Sequence, residues 1–425
     1  MKKILFWGLL LLAAACSRSS EEPDFLFSPN APEPSSSWVR SQDDALETLA
    51  AMLENLEGSE STRAASVRQI RSVETVKVAD VAPSTRSGAV SDADDIFYLV
   101  SFGEGNGSAI LGADRRLPSV LAVLDETVLT ADDLTCSEEQ EIENPQDFVL
   151  SCLVGSAIST LAIDPPSPDI PNPGFDPNPW TPMKPRPHTE VLISCNKRQE
   201  PLLKTRWGQG HPYNKYCLGC PAGCGPIAVA QFLTFWSFPD PNVVGNQTFD
   251  WNLIRMNSVG GFPTFRAENE VARYVQTLGV CLKAQYGENQ TSITYKDIPG
   301  FLNGLGFSDG VFYDYDAVSA ERMVFAGRPV IMRGNHDGEN GHIWLLDGWY
   351  RYEAKKCTWV GNAMVSAEPI QDILTHCNFG WKGAWDGYYY PWAFDTALRQ
   401  GYDKGEIIGD DPALFDTGLK MFVYL

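Results

Sequence analysis

The stretch Cys220-Pro-Ala-Gly-Cys224-Gly-Pro-Ile-Ala-Val-Ala-Gln231 decides how this sequence is interpreted. Proline is tolerated in the first turn of a helix, and the mostly apolar residues between Pro226 and Phe235 favour a buried one. That helix would begin beside Cys224, where the positive end of the helix dipole favours a thiolate. The stretch therefore predicts a cysteine nucleophile at a helix start.

A thiol nucleophile also needs an imidazole base, a group that orients the base and a donor for the oxyanion. The motif Asn340-Gly-His342 offers the base, just before a predicted strand over residues 343–347. Asn378 in Asn378-Phe-Gly-Trp381 and Gln209 in Trp207-Gly-Gln209 offer the other two groups. The chain has five histidines, so His336 and His376 stay open as alternative bases.

Cys217, Cys220 and Cys224 are spaced closely enough to suggest a zinc or iron–sulfur site. No second cysteine pair at ligand spacing follows them, so the sequence favours no metal there. A local disulfide that uses Cys217 or Cys220 and leaves Cys224 reduced is the preferred interpretation. In an exported chain we expect several of the other cysteines to pair as well.

The first 16 residues carry the marks of an export signal: Lys2 and Lys3, a short apolar run, then Ala13-Ala-Ala-Cys16. The ending resembles the lipobox of bacterial lipoproteins, which makes Cys16 the expected site of lipidation. Residues 17–40 are polar and contain prolines, so they are expected to form a tether. The localisation expected from these features is an exported bacterial lipoprotein at the outer membrane or cell surface.

Residues 41–164 are predicted to form a small α+β unit. Its predicted elements are a helix over 43–56, a hairpin over 96–111, a strand over 120–124 and a helix over 147–163. Residues 59–93 show no sustained period and are predicted to be loop with at most one strand.

Residues 165–190 are predicted to be an extended linker, because ten prolines fall between Pro165 and Pro187. Residues 191–425 are aromatic-rich and are predicted to be one α+β domain, with a helical part and an antiparallel sheet. The net charge of -21 argues against nucleic acid as a partner.

The order of these motifs resembles the streptopain family of papain-like cysteine peptidases. Asp347-Gly348 and Asp386-Gly-Tyr-Tyr389 add to the resemblance, while Phe379 and Lys382 depart from the family pattern. The resemblance implies a papain-like catalytic domain that needs no cofactor and no metal. It implies Cys224 as nucleophile, His342 as base, Asn378 as orienting residue, Gln209 as oxyanion donor and Trp381 as the shielding indole.

The resemblance extends upstream to Phe97-Tyr-Leu-Val-Ser-Phe102 and Ala109-Ile-Leu-Gly-Ala-Asp114, which look like the family's inhibitory prodomain. It implies a zymogen endopeptidase whose partners are protein or peptide substrates, its own prodomain and, through lipid, a membrane. A cut in residues 188–200 is expected to release the mature enzyme. Two rivals stay open: a cell-wall amide hydrolase or transamidase with the same triad, and a surface binding module without catalysis.

Overall fold

The structure is a computed structural model that describes residues 38–57, 68–81, 95–134, 145–161, 187–256, 264–335, 341–360, 363–394 and 419–424. The predicted signal peptide, with Cys16, and nearly all of the predicted tether and linker lie outside these residues. None of the helices within the described ranges is long and apolar enough to cross a membrane.

The N-terminal part, residues 38–161, closely follows the predicted elements. It contains helices α1 (Gln42–Glu57), α2 (Val78–Val81) and α3 (Pro145–Leu161), and strands β1 (Ile70–Lys77), β2 (Asp95–Phe102), β3 (Ser108–Gly112) and β4 (Val120–Leu124). Strand β1 is the one strand allowed in the stretch predicted as loop, whereas α2 was not predicted.

The C-terminal part, residues 187–424, combines helices with long antiparallel strands, which confirms the predicted α+β class. Its helices are α4 (Cys224–Trp236), α5 (Trp251–Arg255), α6 (Phe265–Cys281), α7 (Asp297–Leu305) and α8 (Ala317–Phe325). Its strands are β5 (Pro187–Gln199), β6 (Val243–Val244), β7 (Gln247–Thr248), β8 (Gln285–Tyr286), β9 (Thr291–Ser292), β10 (Val311–Asp314), β11 (Val330–Asn335), β12 (Gly341–Val360), β13 (Ala363–Asn378), β14 (Gly387–Tyr389) and β15 (Lys420–Val423).

One sheet runs through both parts in the order β1-β2-β3-β4-β14-β13-β12-β11-β15-β10, and β5 also pairs with β12. The junction is the antiparallel pair of β4 and β14, in which Leu124 lies opposite Gly387. A hydrophobic cluster crosses the same junction and joins Phe97 and Leu124 to Trp344 and Tyr389. The two parts therefore share a sheet and a core.

Strand β5 changes the expectation for residues 188–200. The sequence assigned these residues to an exposed cleavage segment, but they pair with β12 along most of their length, from Pro187 opposite Val360 to Gln199 opposite Trp349. The apolar run Val191-Leu-Ile193 gives this strand its β-propensity, and its partner residues lie at least 150 positions away along the chain. A cut within β5 would have to open this ladder first.

Helix α4 holds the predicted nucleophile at its first residue. Gly223 precedes it with φ of 91°, a conformation that favours glycine, and the residues from Gly225 to Thr234 are all buried. The helix ends at Ser237, which adopts the left-handed conformation. Helix α4 packs on a second hydrophobic cluster that includes Tyr274 of α6 and Leu345 of β12, so the helical part and the sheet meet around it.

Candidate active site

Cys224 lies where the start of α4 meets the start of β12. The backbone N–H groups of Ile343 and Gly225 lie near its Sγ and act to lower the pKa of the thiol. Ile343 directly follows His342, so the strand that carries the predicted base touches the predicted nucleophile. Gly225 packs closely against Ile293, because a Cβ built at Gly225 would lie 2.2 Å from the Cδ1 of that residue.

The electrostatics at Cys224 differ from the sequence-based expectation. Burial raises the pKa of the Cys224 thiol, and the hydrogen bonds from Ile343 and Gly225 offset this only in part. The helix start alone was expected to favour the thiolate. The half-buried thiol therefore ionises less readily here than the helix start alone would predict.

His342 stands near the start of β12, opposite Gly334 of β11, and only 3% of its surface is exposed. Its Nε2 lies 2.9 Å from the carbonyl oxygen of Phe379. A carbonyl can only accept, so Nε2 carries the proton and Nδ1 is the basic nitrogen. Burial lowers the pKa of His342 to about 4, although the Phe379 carbonyl acts to raise it.

Aromatic rings enclose the imidazole of His342. The ring of Trp381 lies 4.6 Å from it, centroid to centroid, at 30°. The ring of Trp344 lies 6.1 Å away and nearly parallel, and Phe379 stacks on Trp381. The structure thus places Trp381 against the predicted base, where the sequence expected a shielding indole.

Asn378 ends β13, opposite Leu345 of β12, and is buried. Its Oδ1 accepts from the backbone N–H of Gly380 at 3.2 Å, and its Nδ2 donates to the carbonyl of Thr205 at 2.8 Å. The peptide that donates from Gly380 also carries the Phe379 carbonyl that binds His342. One peptide group therefore stands between Asn378 and the imidazole.

The segment with Gln209 bonds both with the loop before Cys224 and with the segment that contains Trp381. The carbonyl of Gln209 accepts from the N–H of Ala222 at 2.8 Å, two residues before Cys224. Gly208 forms a β-bridge with Trp381, and the N–H of Lys382 donates to the carbonyl of Trp207. Gln209 itself is partly exposed, beside the nucleophile's loop. The structure thus brings all five predicted site residues into one region.

A buried cluster of charge lies behind this region, centred on His376. Its Nδ1 is 2.6 Å from Asp347 Oδ1, and its Nε2 is 3.6 Å from Asp125 Oδ2. Burial alone would lower the pKa of His376, but the nearby carboxylates of Asp347 and Asp125 raise it to about 10. An imidazole that holds its proton at neutral pH is a poor proton acceptor, which favours His342 as the base of these two. His336, the other alternative, lies outside the described residues.

Asp386 is a further buried carboxylate that the sequence analysis gave no role. Its Oδ1 accepts from the N–H of Phe379 at 2.9 Å, so it holds the residue whose carbonyl binds His342. Burial raises the pKa of Asp386 to about 7. Gln231, on α4, was likewise given no role, although its side chain bonds with Asn378. A polar residue within an apolar run is the signal that could have drawn attention to both.

The described cysteines do not form the disulfides that the sequence analysis expected. The seven cysteines whose state the structure describes are free: Cys195, Cys217, Cys220, Cys224, Cys281, Cys357 and Cys377. Among the described residues, the structure shows no group of three or more His, Cys, Asp or Glu side chains placed to hold a metal ion.

A cysteine at a helix start with a buried histidine on the adjoining strand is the arrangement that a thiol hydrolase needs. Comparison with known families specifies it further: residues 207–389 match the model of the Peptidase C10 family. This match confirms the resemblance to streptopain, and the protein is a cysteine-type peptidase.

Two solved structures from Prevotella intermedia are similar to this chain. A fragment of prointerpain A has 20% sequence identity and a TM-score of 0.49, covering 83% of this chain and 98% of its own. The active interpain A cysteine protease has 24% identity and a TM-score of 0.38, covering 53% of this chain and 94% of its own. No curated protein matches the chain at a significant level.

Proposed function

We propose that this protein is an exported endopeptidase, made as a zymogen, that cleaves protein substrates through an acyl-enzyme on Cys224. The observation that supports this most directly is the contact of Cys224 Sγ with the N–H of Ile343, the residue next to His342. That contact brings the nucleophile to the strand of the base.

The chemistry follows from the protonation states of the two residues. The neutral thiol of Cys224 gives its proton to Nδ1 of His342 as Sγ attacks the peptide carbonyl, which forms a tetrahedral oxyanion and an imidazolium. Collapse of this intermediate breaks the C–N bond and leaves a thioester on Cys224. The side chain of Gln209 and the backbone N–H of Cys224 are proposed to hold the oxyanion. His342 then protonates the leaving amine, and water hydrolyses the thioester.

The carbonyl of Phe379 has a defined part in this scheme. It keeps the Nε2 proton in place, so that Nδ1 stays the basic nitrogen while the thiol is deprotonated. When His342 becomes an imidazolium, the same carbonyl accepts a hydrogen bond from a charged donor. That bond is then stronger, which stabilises the charge that develops on the ring.

The N-terminal part is proposed to be the intramolecular inhibitor. It touches the loop behind the site: Trp385 donates its backbone N–H to Thr127 Oγ1 at 2.8 Å, and Asp125 donates its N–H to the carbonyl of Asp386. Asp386 in turn holds Phe379. Asp386 therefore connects residues 125–127 to Phe379, whose carbonyl binds the proposed base.

Export and lipidation at Cys16 remain proposals from the sequence motif. In this arrangement residues 17–40 would tether the zymogen to the outer membrane or cell surface, and a cut in the linker would break the covalent tie between the catalytic part and the lipid. Because residues 187–199 form β5, we place the cut N-terminal to Pro187. Sequencing the N-terminus of the active species tests this placement.

One experiment separates the proposed function from its rivals. The activated protein is labelled with an epoxide thiol-peptidase inhibitor and assayed in parallel on casein and on peptidoglycan, with Cys224→Ala as the control. We expect casein hydrolysis that the inhibitor and the substitution both abolish. Activity on peptidoglycan alone would indicate the cell-wall hydrolase instead.

A further inference from the structure

Gln231 is a wholly buried polar side chain on the helix of the nucleophile. It follows Cys224 by seven residues, so both lie on one face of α4, about 10 Å apart along its axis. Its neighbours from Ala228 to Leu233 are otherwise all apolar and buried. A buried amide among such residues needs partners, and its partners show what it connects.

The Gln231 amide bonds with two different segments of the site. Oε1 accepts the backbone N–H of Trp207 at 3.1 Å and also accepts from Nδ2 of Asn378 at 3.5 Å, while Nε2 donates to Oδ1 of Asn378 at 3.0 Å. Trp207 lies two residues before Gln209, and Asn378 precedes the residue that binds His342. One side chain therefore links the nucleophile's helix to the segments of the oxyanion donor and the base.

The path from Gln231 to the imidazole is short and wholly hydrogen-bonded. Asn378 Oδ1, which accepts from Gln231, also accepts the N–H of Gly380. The same peptide group presents the Phe379 carbonyl to His342 Nε2 at 2.9 Å. Donation from Gln231 fixes Asn378 Oδ1, so it also fixes the peptide that orients the base.

We propose that Gln231 is a positioning residue that holds His342 and Gln209 in register with Cys224. The proposal rests on the peptidase function proposed above. It assigns Gln231 no contact with substrate: the side chain acts through Asn378 on one side and through Trp207 on the other. Its loss should lower the rate of the chemical step more than it weakens substrate binding.

The test compares Gln231→Met, which keeps the length of the side chain but not its hydrogen bonds, with Thr234→Val. Thr234 is also buried on α4, and its hydroxyl donates to the carbonyl of Ala230 within the same helix. Both variants are expressed as full-length chains, processed by the same added endopeptidase and titrated with the epoxide inhibitor. We expect Gln231→Met to lower kcat on the order of 10- to 100-fold with little change in KM. Thr234→Val should stay near wild type.

Two readouts distinguish positioning from a purely structural role. The Phe379 hydrogen bond raises the pKa of His342, so loosening it should move the acid limb of kcat/KM to lower pH in Gln231→Met but not in Thr234→Val. In a double-mutant cycle, Gln231→Met and Asn378→Ala should together lose less than the product of their separate losses, because both act on one peptide.

The outcomes separate this proposal from the proposed function. If Gln231→Met keeps kcat and the pH profile of the wild type while Cys224→Ala is inactive, the positioning role is wrong and the peptidase stands. If Cys224→Ala retains activity, the function itself is wrong. Should Gln231→Met fail to fold, Gln231→Glu decides, since it keeps the Oε1 that accepts from Trp207 and from Asn378 Nδ2 but replaces the donor to Asn378 Oδ1. Wild-type kcat in that variant would overturn the proposal.

Discussion

The carbonyl oxygen of Phe379 accepts a hydrogen bond from Nε2 of His342, so the imidazole is oriented by the main chain. The geometry of the base then depends on what holds residues 378–380 in place. Asn378 Oδ1 holds the peptide of Gly380, and Asp386 Oδ1 holds the N–H of Phe379. These contacts determine which substitutions should impair catalysis and by how much.

Asn378→Ala should be much milder than His342→Ala, because Asn378 acts on the imidazole through a peptide group. Loss of the base should lower kcat by about 10²- to 10⁴-fold. Asn378→Ala should keep measurable turnover. Steady-state kinetics on a peptide substrate measure both, with Thr234→Val as a buried control. Equal losses in the two variants would argue for a direct role of Asn378 at the ring.

Asp386→Ala should destabilise the protein and lower kcat, since it leaves the buried N–H of Phe379 without its acceptor. Leaving one buried donor without its acceptor lowers the free energy of unfolding by about 1–3 kcal/mol. Asp386→Asn keeps an acceptor oxygen and should recover much of kcat. Denaturant unfolding and kcat of the two variants are compared with wild type. If kcat of Asp386→Asn is as low as that of Asp386→Ala, catalysis depends on the charge of Asp386 and not on its hydrogen bond to Phe379.

His376→Gln should reduce stability far more than it reduces chemistry. The substitution leaves Asp347, which is 1% exposed, without its buried ion-pair partner, a loss of about 3–5 kcal/mol. Because His342 is the proposed base, kcat per folded molecule should change little below the unfolding temperature. A variant that folds well but has lost turnover would make His376 the base.

The stabilisation that His376 provides should depend on pH in a defined direction. Its pKa is raised to about 10 in the folded protein, so the folded state binds the proton more tightly than the unfolded state. The contribution is fully present below the unfolded value of about 6.5 and is lost as pH rises through 10. Unfolding free energies of wild type and His376→Gln between pH 6 and 10 should therefore converge. A constant difference across this range would contradict the ion pair.

Cleavage of the linker alone should not separate the two parts. The ladder between β4 and β14, the shared hydrophobic cluster and the pair of Arg206 with Glu126 all join them without the covalent chain. After a cut N-terminal to Pro187, the N-terminal fragment should stay bound to the catalytic part in gel filtration at moderate salt. Immediate release on cleavage, with full activity, would show that the shared sheet is weak.

The sequence predicts the parts of the fold that depend on local pattern. Helix α4 follows from Pro226 and a continuous apolar run, and α1 and the β2–β3 hairpin follow from periodicity and glycine placement. Strand β5 escaped prediction because its hydrogen bonds go to β12, far along the chain, and prolines immediately precede it. Pairing over that separation leaves no local signal.

In the candidate site, too, the features with a local sequence signal could be predicted and those that depend on distant contacts could not. Cys224, His342 and Asn378 stand in motifs whose residue types have chemistry of their own, so they could be named in advance. The Phe379 carbonyl could not, because every residue has one. Desolvation of Cys224 was also beyond the sequence, since it arises where the start of α4 packs against β12.

The measurement that tests the central claim most directly is the mapping of the epoxide inhibitor on the activated enzyme by mass spectrometry. We predict one inhibitor per molecule on Cys224, in proportion to lost activity, with the other cysteines unlabelled, and no labelling in Cys224→Ala. A label on another cysteine that tracks the lost activity, or full activity with Cys224 modified, would contradict Cys224 as the nucleophile.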